Sequence, residues 1–346
     1  MRFKQVFFHS FGYELPPRVV TSSELEKRLE PVYSRLKLPE GRLELMSGIQ
    51  ERRFWNPGTR PSDGAAQAGE KALAASGISR DRIECLIFTG VSRDMMEPAS
   101  ASFVHHALGL SEKCLIFDLS NACLGFLNGM IVLGNMIELG QVTNGLIVSS
   151  ETAEDLVDTT IHALNADTSL TRKTIKASFA SLTIGSAAVS LVMGNDGGSS
   201  PYRLAGGAYR ANTSQCHLCK GGKDYQGTLM LTDSEELLKQ GVETARATWG
   251  EFQEELGWSE DSIDRYFCHQ VGTAHSRLLF DTLKLQSEKN FETLHFLGNV
   301  GSVSAPITMA IGIEQGQFLP GRKAALLGIG SGINCLMIGV ESCRPG

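Results

Sequence analysis

No stretch of this chain is apolar for long enough to cross a bilayer as a helix. The strongly apolar uncharged run Ala324 to Val340 is shorter than the ~20 residues a span requires. Gly328, Gly330, Ser331, Gly332, Asn334 and Gly339 also interrupt it. It reads instead as two buried strands around a glycine turn. Positive charge is also short: 32 Lys and Arg against 38 Asp and Glu leave a net charge of −6. A protein held to nucleic acid through phosphates carries the opposite balance, so no nucleic-acid partner is expected. The opening MRFKQVFFHSFGYELPP lacks the apolar core and cleavage site of a secretory signal, which sets the expectation of a cytoplasmic protein. Cysteines stand at eight irregular positions, 85, 114, 123, 216, 219, 268, 335 and 343, and form no disulfide framework. Reduced thiols follow from a cytoplasmic setting. Cys216-His-Leu-Cys219 has the spacing of half a zinc site but no second pair, so no metal is expected. Low-complexity tracts and heptads are absent.

What is present is the material of a packed core. Hydrophobic residues make up 42% and charged residues 20% of 346, which excludes intrinsic disorder. The length suggests about two domains. Glycine, at 37 residues, exceeds the usual ~7%, as expected of many tight turns and close backbone approaches. Short apolar runs alternate with helical ones. Strands are expected at Glu84-CLIFTG, Cys114–Leu119 and Gly145-LIVSS, with helices over 64–76, 99–108 and 124–139. The rhythm returns with a helix over 234–256, a strand at Asp264-RYFCH, helices over 273–283 and 304–316, and strands beginning at Ala324 and Cys335. Such strands belong in a parallel or mixed sheet covered on both faces. The chain therefore divides into two βα-rich halves, 1–195 and 196–346, joined by a polar Gly/Ser-rich linker near 194–202. The Thr-rich segment near 151–178 breaks the strand rhythm and reads as an inserted lid or dimer-contact segment.

Three residues could carry chemistry. Cys123 follows a strand and precedes a helix. A helix N-terminus lowers a thiol's pKa and favours the thiolate, although a lone cysteine is also a common packing residue. His269 ends a strand, where open α/β sheets place ligand groups, or it is a hydrogen-bonded core histidine. Asn299, between glycines in LGNVGS, is a turn former or a functional amide. Gly328-IGSG offers backbone N–H groups. Glu151, at a strand end, is a further carboxylate. His105 and His106 read as packing or surface residues.

Taken together, in this order, Gly48-IQERR, Cys123 in Asn121-ACLGF, His269-Gln270, Gly298-Asn299 with Ser304-Ala-Pro-Ile307, and Gly328-IGSG resemble the thiolase-superfamily condensing enzymes, and ketoacyl synthase III in particular. The resemblance runs over nearly the whole chain. It implies a thiolase-like fold with a layered α-β-α-β-α core, no resident cofactor and coenzyme A thioesters as substrates. Carried over, Cys123 is the acylated nucleophile and His269 and Asn299 hold the second thioester's oxygen. The N–H groups of Cys123 and Ser331 form the other oxyanion hole. Arg52 and Arg53 are candidates to meet coenzyme A phosphates.

Several positions depart from ketoacyl synthase III. Arg42 and Met46 replace its Trp and Arg, Ala274 replaces an Arg that faces the carrier protein, and Ile184-Gly-Ser-Ala187 replaces Gly-Asp-Gly-Ala. Glu97, in Ser92-Arg-Asp-Met-Met-Glu-Pro98, stands where that family tends to carry Phe. A carboxylate in an apolar tunnel suits a general base. The motif resembles the head-to-head condensing enzymes of bacterial long-chain olefin biosynthesis, which join two acyl-CoA molecules without decarboxylation. The resemblance then implies a homodimer in which Glu97 enters the neighbouring subunit's site. The rival expectations are a decarboxylative synthase III and, from another class, a Cys/His thioesterase.

Overall fold

A computed structural model of the protein describes residues 1–196, 200–224 and 227–343. Part of the expected linker, 197–199, lies outside the described residues. In chain order the strands are β1 (Phe7–Glu14), β2 (Arg18–Thr21), β3 (Glu51–Phe54), β4 (Cys85–Thr89), β5 (Leu115–Leu119), β6 (Asn144–Glu151), β7 (Ala187–Gly194), β8 (Tyr202–Ala211), β9 (Cys219–Asp224), β10 (Gly227–Thr232), β11 (Arg265–Cys268), β12 (Lys323–Gly330) and β13 (Asn334–Ser342). The helices are α1 (Ser22–Arg28), α2 (Glu30–Leu36), α3 (Arg42–Ser47), α4 (Pro61–Ser76), α5 (Ser100–Leu108), α6 (Gly125–Glu138), α7 (Glu154–Ala166), α8 (Ser234–Leu256), α9 (Thr273–Leu283), α10 (Leu294–Leu297) and α11 (Ser304–Glu314). No helix among the described residues is long and apolar enough to cross a membrane.

Nine strands form one mixed sheet in the order β11-β12-β13-β8-β1-β7-β6-β4-β5. Its two wings meet at β1 and β8, which share only the pairs Phe7↔Arg203 and Phe8↔Tyr202. The strand order is alike in both wings. The first strand (β1 or β8) pairs antiparallel with the last (β7 or β13), which pairs antiparallel with the one before it (β6 or β12). That strand in turn pairs parallel with β4 or β11.

Alternation along each strand sorts its apolar side chains into two layers. Cys85 and Ile87 of β4 face the central core with Leu127 and Met130 of α6 and Ile307 and Ile311 of α11. Leu86 and Phe88 face outward onto Ala65 and Leu73 of α4 and Val104 of α5. In the other wing Ala324 and Leu326 face the same central helices, while Ala325 and Leu327 pack on Trp249 and Phe252 of α8 and Phe280 of α9. Strands buried on both faces must be apolar at every position, which is why these runs read as unbroken. The result is the expected α-β-α-β-α stack, with α6 and α11 as the middle layer. From Ser304 to Gly312 every residue of α11 is buried.

The segment after β6 builds a roof beside this stack. Helix α7 and a 3-10 stretch, Thr174–Thr183, pack Val157, Ile161, Leu164 and Phe179 against Leu25, Leu29, Val32 and Leu43 of α1 to α3. The β9–β10 hairpin joins it where Ser181 Oγ donates to the Met230 carbonyl (3.0 Å).

Candidate active site

Cys123 sits on a sharp turn. Strand β5 ends at Leu119, Ala122 takes the left-handed conformation (φ 46°), and α6 starts at Gly125. A non-glycine residue with positive φ stores strain of order 1 kcal/mol or more, and such strain clusters at functional sites. The end of β12 closes on the turn. A Cβ on Gly328 or Gly330 would lie 2.5 Å or 2.9 Å from the Leu124 side chain, so both positions need glycine for Leu124 to seat. Gly330 is thereby brought beside the Cys123 amide nitrogen. Asn334 spans the same gap: its Nδ2 donates to Asn121 Oδ1 and to the Ser331 carbonyl, each at 3.2 Å. The turn of Cys123 and the turn of Ser331 are therefore held together by a side chain that sequence reading passed over.

The thiol itself departs from expectation. Burial pushes it up to about 12, and nearby Glu151 and Cys219 add to the rise. Desolvation outweighs the helix end, and the free protein holds a neutral thiol rather than a thiolate. Cys219, read from sequence only as half of a metal pair, belongs to the surroundings of Cys123.

His269 follows β11, with its amide donating to the Leu327 carbonyl (2.8 Å). Its ring is buried and Nδ1 has no partner among the described residues. Burial, with His275 close by, lowers its pKa to about 3, so the imidazole is neutral. Asn299 is gripped on its main chain and its side chain. Its N–H donates to Thr183 O and its carbonyl accepts from Gly185 N, both at 2.9 Å. Gly301 N donates to Asn299 Oδ1 (3.0 Å). With the oxygen engaged, the amide's NH₂ is the end left to donate. The loop is tied to the helix after Cys123 by Ser302, whose Oγ accepts from Phe126 N (2.8 Å).

The chain that carries these three residues can be set beside known proteins. The model for 3-oxoacyl-[acyl-carrier-protein] synthase III matches residues 117–199, and its C-terminal model matches 253–340. An acyl-CoA:acyl-CoA alkyltransferase of Shewanella oneidensis is 42% identical, over 99% of this chain and 100% of its own. A second, from Xanthomonas campestris, is 35% identical over 97% and 98%. A crystal structure of Xanthomonas campestris OleA superposes with a TM-score of 0.94 at 34% identity, covering 99% and 98% of the two chains. The chain belongs to the acyl-CoA:acyl-CoA alkyltransferase family. Beta-ketoacyl-[acyl-carrier-protein] synthase III 1 of Bacillus cereus is more distant, at 26% identity. The fold is thiolase-like, and the protein is an acyltransferase.

One sequence expectation changes within this alkyltransferase-family frame. Arg52 is not a surface cation for coenzyme A phosphates: it is 0% exposed. Alternation along β3 turns Arg52 and Phe54 inward. There Arg52 donates to Ser22 Oγ (3.1 Å) and the Leu182 carbonyl (3.3 Å), and burial lowers its pKa to about 10. It braces the 182–185 segment that holds Asn299. Arginine is rarely this buried, so sequence alone placed it outside. Arg53 is half-buried and donates to the Pro16 carbonyl (3.3 Å). Glu97 lies between β4 and α5. It is exposed on the Gly90–Ala99 loop, beside Met96 at 99% exposure, and makes no hydrogen bond or ion pair among the described residues.

Proposed function

We propose that the protein condenses two fatty acyl-CoA molecules head to head, without decarboxylation, through an acyl-Cys123 intermediate. The observation that carries this reading is the Cys123 turn, on which the end of β12 closes and to whose following helix Ser302 ties the Asn299 loop, with the Asn299 NH₂ left to donate. Cys123 Sγ attacks the first thioester, its proton leaves on the coenzyme A thiol, and the acyl group stays on sulfur. The N–H groups of Cys123 and Ser331 hold the oxyanion of this transfer. A base then takes an α-proton from the second acyl-CoA. The enolate oxygen is held by the His269 N–H and the Asn299 NH₂, which need no charge of their own. The enolate carbon attacks the acyl-Cys123 carbonyl, the C–S bond breaks, and the Cys123 thiolate recovers a proton. The product is a 2-alkyl-3-ketoacyl thioester, released as the acid after hydrolysis.

The base we propose is Glu97, reaching the site of a second copy in a homodimer. In crystallised variants of Xanthomonas campestris OleA the replaced glutamate and the replaced cysteine stand 26 positions apart, the spacing of Glu97 and Cys123 here. Strand β5 supports the dimer. It is the sheet edge nearest this loop, carries the apolar run Leu115-Ile-Phe117, and leaves Leu115 51% exposed. Uncovered apolar edges invite pairing.

Products from a long-chain acyl-CoA supplied alone, identified by mass spectrometry, test the reading. A condensed keto product is expected from wild type. Neither product nor acyl label is expected from Cys123→Ala. Condensation only with a malonyl thioester would move the protein to the synthase III reaction. Free fatty acid alone would make it a thioesterase.

A further inference from the structure

Glu151 is the last residue of β6 and is 5% exposed. Its two oxygens meet a ring of backbone donors. Oε1 accepts from Val91 N (3.0 Å) and Ser302 N (3.3 Å), and Oε2 accepts from Ser92 N (2.9 Å). Two glycines make room for it. A Cβ on Gly90 would stand 3.3 Å from Oε1, and one on Gly301 would stand 3.2 Å away. Both residues have positive φ, at 149° and 55°. Two loops thus approach one carboxylate with bare backbone, one from the first half of the chain and one from the second.

Each loop carries a residue of the proposed mechanism. Val91 and Ser92 open the loop that bears Glu97. Its far end is held by a second carboxylate, Asp118, which accepts from Ser100 N and Ala101 N, each at 2.9 Å. Gly301 donates to Asn299 Oδ1, and Ser302 Oγ receives the first turn of the helix that follows Cys123. We infer that Glu151 is a positioning residue: it locks the Glu97 loop and the Asn299 loop in register with the Cys123 turn. This inference rests on the condensation reading above. Only a carboxylate offers acceptors on both oxygens. Glutamine at this position would turn an NH₂ toward N–H groups and leave at least one buried donor unpaired. The proton affinity of Glu151 is raised by burial and opposed by the same N–H donors.

The test compares wild type with Glu151→Gln and Glu151→Asp as full-length proteins. Acyl-Cys123 is quantified with labelled acyl-CoA, and condensation is expressed per acylated site. For Glu151→Gln the yield of acyl-Cys123 and the KM for acyl-CoA should stay within about twofold, while kcat for condensation falls by ~10²-fold, as on losing an aligned donor. Glu151→Asp keeps both acceptor oxygens and should recover at least about a tenth of wild-type kcat, roughly tenfold above Gln. Backbone hydrogen exchange should quicken at Val91, Ser92 and Ser302 in the Gln variant and stay unchanged in β4 and β6. Condensation per site at the wild-type level, or acylation and condensation falling in proportion, would overturn the inference. So would wild-type exchange at those three amides. Wild type that acylates Cys123 but never condenses would sink the functional reading instead, and the exchange rates would still decide Glu151.

Discussion

Cys123 carries two opposing influences, and their balance is measurable. The helix end favours a thiolate, while burial and the neighbouring Glu151 oppose it and lift the thiol to about 12. Below that value each unit of pH raises the thiolate fraction about tenfold. Alkylation of Cys123 by iodoacetamide, followed by peptide mass spectrometry, should therefore keep climbing from pH 7 to 10. A plateau near neutrality would show that the helix end wins. His269 sits on the other side of the same argument. Its folded-state pKa of about 3 lies below the ordinary value, so it stays uncharged from pH 5 upward and should add no acid limb to the condensation profile in that range. An acid limb that disappears in His269→Asn would contradict this. Asn299 presents its NH₂ because Gly301 occupies its oxygen. Asn299→Ala should still self-acylate but condense ~10²–10³-fold more slowly, as read by label retention against product formation. Equal rates would remove it from the enolate site.

Between residue and molecule, the segment 183–186 acts as a splint. It bonds Asn299 on both sides, meets β3 where Ser186 N donates to the Arg53 carbonyl (2.9 Å), and leaves no space at Gly185. A Cβ there would come 2.1 Å from the Leu297 carbonyl and 3.2 Å from Arg52 Cβ. Gly185→Ala should cost roughly 1–3 kcal/mol as overpacking, seen as a lower Tm, and should depress condensation more than acylation. Unchanged Tm and condensation would show that the splint yields freely. Elements of this kind leave little trace in the sequence. The buried parallel strands β4 and β6 and the amphipathic α8 and α9 were legible because burial on one or both faces writes a period into the sequence. Strand β1, with His9, Ser10 and Gly12 inside it, has no such period. Its pairing with β7 and the close approach of α4 at Gly12 came only with the fold. We propose 1–195 and 196–346 as the two halves, on the matched strand order of the wings.

At the scale of the whole molecule the decisive question is where Glu97 works. It is exposed on a loop fixed at both ends, next to a free apolar sheet edge. Closed two-fold dimers are the commonest assembly. If Glu97 serves the partner's site, subunit exchange between two inactive variants, Cys123→Ala and Glu97→Ala, restores one intact site in every mixed dimer. Random pairing makes about half the dimers mixed, so about a quarter of wild-type activity should return. No return after demonstrated exchange would place the base within its own chain or elsewhere.

The fold class, and the local strand and turn frames around Cys123, His269 and Asn299, could be read from the chain itself. Strand–Cys–helix, strand–His–helix and Gly-Asn-x-Gly are local patterns, and the turns they require are written in neighbouring glycines. The environment of those residues could not be read. Whether a thiol is raised or lowered, and whether an arginine faces water or the core, depends on what distant segments bring against it. Arg52 lies beneath a carbonyl 130 residues away and Glu151 beneath an amide 151 residues away. Such pairings leave no spacing in the sequence, because desolvation and hydrogen bonding act through space and not along the chain.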